Sequence, residues 1–169
     1  MFTSRKIIFV MGLLLGGGVV FAPVSAAESP KTEPVKISAD MVEVDQKSQS
    51  STYSGNVILR QGDMRLTAET VKVNADRGKL SAIKAMGHPA EFRSVSEDGT
   101  PVRGQADVVQ FKARAEILLL VGEGKLTQGG NTIENDRIEF NLRTGNLKAG
   151  GRQAKGRVEV ILQPAEQKK

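Results

Sequence analysis

The chain has 169 residues, with 24 Lys and Arg, 19 Asp and Glu, one histidine and no cysteine. The absence of cysteine excludes disulfides, thiol chemistry and every Cys-based metal site, and one histidine cannot build a His-rich metal site. The formal charge of +5 is interspersed along the chain, which excludes the dense basic stripe of a nucleic-acid binder.

Residues 1–27 read as a secretory signal peptide. Arg5 and Lys6 form a basic start, Ile7 to Ala22 is an uncharged run broken by Gly16, Gly17 and Gly18, and Val24, Ser25, Ala26 and Ala27 are small. That order predicts cleavage after Ala26 or Ala27. An uncleaved anchor is the rival, but a spanning helix wants about 20 apolar residues and this run is shorter. Losing residues 1–27 removes two cations and no acid, so the expected mature charge is +3. Residues 28–163 are expected to form one domain and 164–169 a polar tail.

From Val35 onward, apolar residues recur with period two, as in Val42/Val44, Val57/Leu59, Leu66/Ala68, Val71/Val73, Ile138/Phe140 and Val158/Val160. Alternation gives each strand one dry side. Turn formers interrupt at Ser54-Gly55-Asn56, Gln61-Gly62-Asp63, Asp76-Arg77-Gly78, Glu97-Asp98-Gly99, Gly129-Gly130-Asn131 and Thr144-Gly145-Asn146. Gly87-His88-Pro89 also reads as a turn. Many short strands with no helical period predict an all-β antiparallel architecture.

The pattern occurs twice. A shift of 67 positions lays Ala39-Asp40 on Ala106-Asp107, Gly55 on Gly122, Leu59 on Leu126, Gln61-Gly62 on Gln128-Gly129 and Gly78 on Gly145. Two such units predict a stack in which each buries the other's dry face. The stack is open at both ends, near Val35 to Ile37 and near Val158 to Leu162. Open ends carry unpaired N–H and C=O groups. Either a partner's strand continues the sheet there, or the polar flanks 28–34 and 163–169 cap it.

Candidate chemistry is thin. The Asp and Glu residues are scattered on alternating strands. Val121-Gly122-Glu123-Gly124-Lys125 is followed by no helix to make a phosphate loop. Ser48, Ser50 and Ser51 have no histidine nearby. Arg60, Arg65 and Lys72 could meet phosphates, or simply lie on a solvated face. The apolar parity of the strands suits either a packed core or a groove left partly open.

Ile37-Ser38-Ala39-Asp40, then Thr52-Tyr53-Ser54-Gly55-Asn56-Val57 with Gln61-Gly62, then Gly87-His88-Pro89-Ala90-Glu91-Phe92, resemble the OstA-like domain of the LptA family of periplasmic lipopolysaccharide-transport proteins. The resemblance covers nearly the whole chain after residue 27. It implies a β-jellyroll-like stack, no catalysis and no cofactor. It also implies lipopolysaccharide acyl chains in the interior, and bridging between inner-membrane and outer-membrane components with related β domains, as a head-to-tail homo-oligomer. Matched positions give Ile37, Phe92 and Phe111 as lipid contacts. Val44, Tyr53, Val57, Leu59, Leu66, Val73, Leu126, Ile133 and Phe140 are expected to support them from the same inner side.

Overall fold

The computed structural model describes residues 33–151 and 156–163. The expected signal peptide and the tail 164–169 lie outside them. Ten strands form one antiparallel sheet: β1 (Lys36–Ser38), β2 (Met41–Asp45), β3 (Ser50–Gln61), β4 (Met64–Asp76), β5 (Lys79–Val95), β6 (Pro101–Lys112), β7 (Ile117–Gln128), β8 (Asn131–Asn141), β9 (Leu147–Ala149) and β10 (Glu159–Ile161). The six long strands run as a meander. β1 and β2 together pair along β3 at one edge, and β9 and β10 together pair along β8 at the other. The sheet is therefore eight strand layers deep and does not close.

Each long ladder slips near its middle, between Ser54 and Val57, Thr67 and Thr70, Met86 and Ala90, Gln105 and Val108, and Val121 and Gly124, and the β4–β5 ladder slips again between Asn74 and Ala75. A bulge bends and twists its strand. Five bulges in line crease the sheet into two half-sheets that fold face to face, a jellyroll-like roll. Half-sheet A holds β2, β9 and the long-strand segments beside them. Half-sheet B holds β1, β10 and the rest. Contacts across the roll are tight. The Phe92 ring of half-sheet B lies 5.7 Å from that of Phe111 in half-sheet A. A Cβ on Gly104 would meet Leu120 at 3.2 Å and Leu118 at 3.3 Å.

Two expected turns are bulges instead. Ser54-Gly55-Asn56 lies inside β3 and Gly87-His88-Pro89 inside β5, with a cis His88–Pro89 bond. Turn-forming residues mark the crease here because a bulge needs the same backbone freedom as a reversal. Gly55 has φ +79°, and an added Cβ would collide with the Asp40 carboxylate. Gly122 has φ +78° and would collide with Asp107 in the same way. Asp40 is held in place: its N–H donates to Gly55 O at 3.0 Å, and Asn56 Nδ2 donates to its Oδ2 at 2.9 Å.

The 67-residue interval recurs in the backbone. Left-handed residues pair as Gln49 with Glu116, Asn56 with Glu123, and Gly62 with Gly129. Ala75 N–H donates to Gln49 O at 3.0 Å, and Leu142 N–H donates to Glu116 O at 2.9 Å, at the same offset.

Candidate functional site: an apolar row system with two uncovered ends

Side chains directly opposite on neighbouring strands share a face, so the registers trace rows across the sheet. In half-sheet B one inner row runs Ile37, Leu59, Leu66, Phe92, Gly104, Leu126, Ile133, Val160. In half-sheet A one runs Val42, Tyr53, Val71, Ala85, Val109, Leu120, Ile138, Ala149, and a second runs Val44, Ser51, Val73, Ile83, Phe111, Leu118, Phe140, Leu147. Except for Ser51 and the hydroxyl-bearing Tyr53 every member is apolar or glycine, over all eight layers. The rows lie perpendicular to the strands, along the axis of the roll.

Most interior members of the rows are buried and the outermost are half-buried or exposed, with Phe111 half-buried between buried Ile83 and Leu118. Leu59, Leu66, Phe92, Leu126, Val71, Val109, Leu120 and Phe140 are buried, while Ile37, Tyr53, Val73, Phe111 and Ile133 are half-buried against them. At the β2 edge Val42 is 53% and Val44 65% exposed, and at the β10 edge Val160 is 51% exposed. The apolar interior thus reaches solvent at both ends. In the middle, the approach of Gly104 to Leu118 and Leu120 closes it.

Eleven of the twelve expected lining residues fall on these rows, and Val57 lies two residues from Leu59 on the same face of β3. Val57, Leu59, Leu66, Phe92, Leu126 and Phe140 are buried. Ile37, Tyr53, Val73, Phe111 and Ile133 are half-buried, Phe111 in the middle of its row, and Val44 is at an uncovered end. Val42 and Val160, which carry the rows to the edges, were visible in the period-two pairs but not singled out. Their role depends on β2 and β10 being outermost, and strand order is not encoded in alternation.

The polar side chains form no catalytic grouping among the described residues. His88 Nδ1 is 3.5 Å from Glu69 and both are well exposed. No group of three or more His, Asp or Glu is arranged to hold a metal ion among them. The two shifted carboxylates are in surface turns. The Asp45 carboxyl lies below its ordinary range because Ser48 Oγ and the N–H groups of Ser48 and Lys47 donate to it. Asp98 is lowered by the Thr100 N–H.

Residues 36–146 match the family model for the LptA/(LptD N-terminal domain) lipopolysaccharide-transport protein. The chain belongs to this family. Relatives within it include the lipopolysaccharide export system protein LptA of Haemophilus influenzae, 28% identical over 166 residues that cover 96% of this chain and 94% of that one. LptA of Escherichia coli K12 is 27% identical over 160 residues, covering 92% and 86%. The crystal structure of LptH, the LptA-homologous periplasmic component of the lipopolysaccharide transport device of Pseudomonas aeruginosa, superposes with a TM-score of 0.73 at 26% identity. It covers 80% of this chain and 99% of that one. The family's open jellyroll-like sheet is the architecture seen here.

Proposed function

We propose that this protein is a non-enzymatic periplasmic carrier, released from its signal peptide, that shelters lipopolysaccharide acyl chains along the inner rows. In this reading it bridges inner-membrane and outer-membrane components with related β domains by adding strands at both edges, in a head-to-tail homo-oligomer. The observation that carries the reading is the continuity of the apolar rows from one uncovered edge to the other. An ordinary core would end under polar caps.

The physical need is simple. Each methylene kept from water is worth about 0.8 kcal/mol, so a lipid with several acyl chains needs a continuous dry path. Stacked copies would join their rows end to end. Eight alternating layers let a neighbour's β1 continue antiparallel to β10. The edge charges also fit that polarity. Lys36 on β1 faces outward at one end and Glu159 on β10 at the other, while Glu43 on β2 is matched by Lys148 on β9.

Because Gly104 and the Phe92–Phe111 pair close the centre, loading requires the half-sheets to part about the crease. That closed centre also favours a second reading, an envelope scaffold without cargo. Native mass spectrometry of the protein purified from its own envelope separates the two. The carrier retains lipopolysaccharide. Assembled protein free of lipid would leave only the scaffold. An intact mass beginning at Ala27 or Glu28 is expected, and retention of residues 1–26 would point to a tethered form.

A further inference from the structure

Cations far apart in the sequence meet on the outer face of half-sheet B. The ladder registers pair Lys36 with Arg60, Arg60 with Arg65, Arg65 with Arg93 and Arg93 with Arg103. Five successive strand layers thus present a cation at directly opposed positions. At about 4.8 Å per layer the row is roughly 19 Å long. Like charges directly opposite destabilise a sheet. Little within the chain offsets this: Arg93 pairs with Glu91 at 3.3 Å, and Lys36, Arg60, Arg65 and Arg103 have no carboxylate partner among the described residues. Arg93 and Arg103 also border a shallow depression of about 200 Å³ whose polar lining includes Glu91, Gln105, Thr127 and Lys125, the last paired with Glu134 at 2.7 Å.

Each cation is the sequence neighbour of an inner-row residue: Lys36 of Ile37, Arg60 of Leu59, Arg65 of Leu66, Arg93 of Phe92 and Arg103 of Gly104. The cationic and apolar rows therefore run back to back along the roll axis. Each of the four arginines stands only one or two residues from the tip of its strand, a path of about 7 Å at most. A group emerging between the half-sheets at the strand tips can reach the row. Guanidinium forks bind phosphate bidentately, and four of the five cations are arginine.

We propose that the row Lys36, Arg60, Arg65, Arg93 and Arg103 is a phosphate-binding strip for the head of an amphiphile whose tails lie along the inner rows. The tail half of this statement rests on the function proposed above. The phosphate half stands on the registers alone.

The test uses the full mature chain, the double variant Arg65→Gln/Arg103→Gln, and a control with the same charge loss on the other half-sheet, Lys72→Gln/Lys84→Gln. Inorganic tripolyphosphate is titrated into each, and diphosphorylated and dephosphorylated lipid A compete in native mass spectrometry. The arginine variant is expected to bind tripolyphosphate and the diphosphorylated lipid about tenfold more weakly and the dephosphorylated lipid unchanged. The lysine control is expected to stay within twofold for all three. Equal losses in both double variants, or an arginine variant that still prefers the phosphorylated lipid, would overturn the strip. Wild-type protein that binds tripolyphosphate but neither lipid would keep a free-phosphate site and sink the tail channel. Binding of both lipids with no phosphate preference would do the reverse.

Discussion

Val42 in β2 and Val109 in β6 occupy the same place in the 67-residue pattern, as do Val44 and Phe111. At the centre β6 is flanked by β5 and β7, and Val109 is fully buried. At the edge β2 has a neighbour on one side only, and Val42 is half in water. The edge repeats the apolar chemistry of the centre without its cover. Edge strands are commonly blunted by charge or proline; here charges such as Glu43 and Glu159 alternate with the valines, yet on the inner face Val42, Val44 and Val160 are left more than half exposed. The contrast separates a covered centre, where apolar burial supplies stability, from edges whose like residues stay in water and which, in the function proposed above, receive a neighbour's strand.

Truncation gives the widest separation. Leu120→Ala at the centre should cost about 2–5 kcal/mol through transfer and cavity terms, while Val42→Ala at the edge should stay within about 0.5 kcal/mol. Urea denaturation of dilute monomer measures both. Equal costs would erase the distinction between centre and edge.

A smaller gap is expected at the crease. Gly122→Ala should cost about 1–2 kcal/mol for its left-handed backbone alone, with the Asp107 clash added, because β6 is locked from both sides. Gly55→Ala has the same φ, but its obstruction, Asp40, stands at the break between β1 and β2, where the chain can yield. The thermal midpoint should fall further for Gly122→Ala. The reverse order would mean that the edge is as rigid as the centre.

Charging the bare ends should leave monomer stability within about 0.5 kcal/mol and act on assembly. Val44→Lys and Val160→Lys should each shift sedimentation at high concentration towards monomer. Unchanged assembly in both would break the link between exposed apolar edges and docking.

The smallest effect concerns acid. Asp45 ends β2 at the edge turn into β3, and Asp98 lies in the exposed turn between β5 and β6. In both, hydrogen bonds hold the folded carboxyl below the ordinary 3.8. Their help is present above the ordinary carboxylate range and fades as pH falls through the lowered folded value. Carboxyl chemical shifts followed by NMR should show midpoints below 3.8 at both turns. A midpoint at or above it in either would contradict the turn hydrogen bonds.

Much of this was legible in the alternation. Val57 with Leu59, and Val71 with Val73, announce strands with one dry side, and most hairpins fall on the predicted glycine turns. The crease was not legible, since Gly55-Asn56 and His88-Pro89 carry the same signals whether a chain reverses or bulges. The arginine strip was hidden more deeply. Arg60, Arg65, Arg93 and Arg103 look dispersed along the chain, and only the register makes them neighbours. Openness was invisible for the same kind of reason: Val44 and Phe111 have the same parity, and only strand order decides which one a neighbour covers.

Site-specific photo-crosslinking in cells producing lipopolysaccharide tests the central claim most directly, with the reactive group placed in turn at Val42, Phe92, Phe111 and Val160, and at Asp98 and Lys84 on the outside. Lipid adducts at all four inner positions and at neither outer one are predicted. Adducts confined to the edges, or equal inside and out, would mean that the rows are a core and not a path.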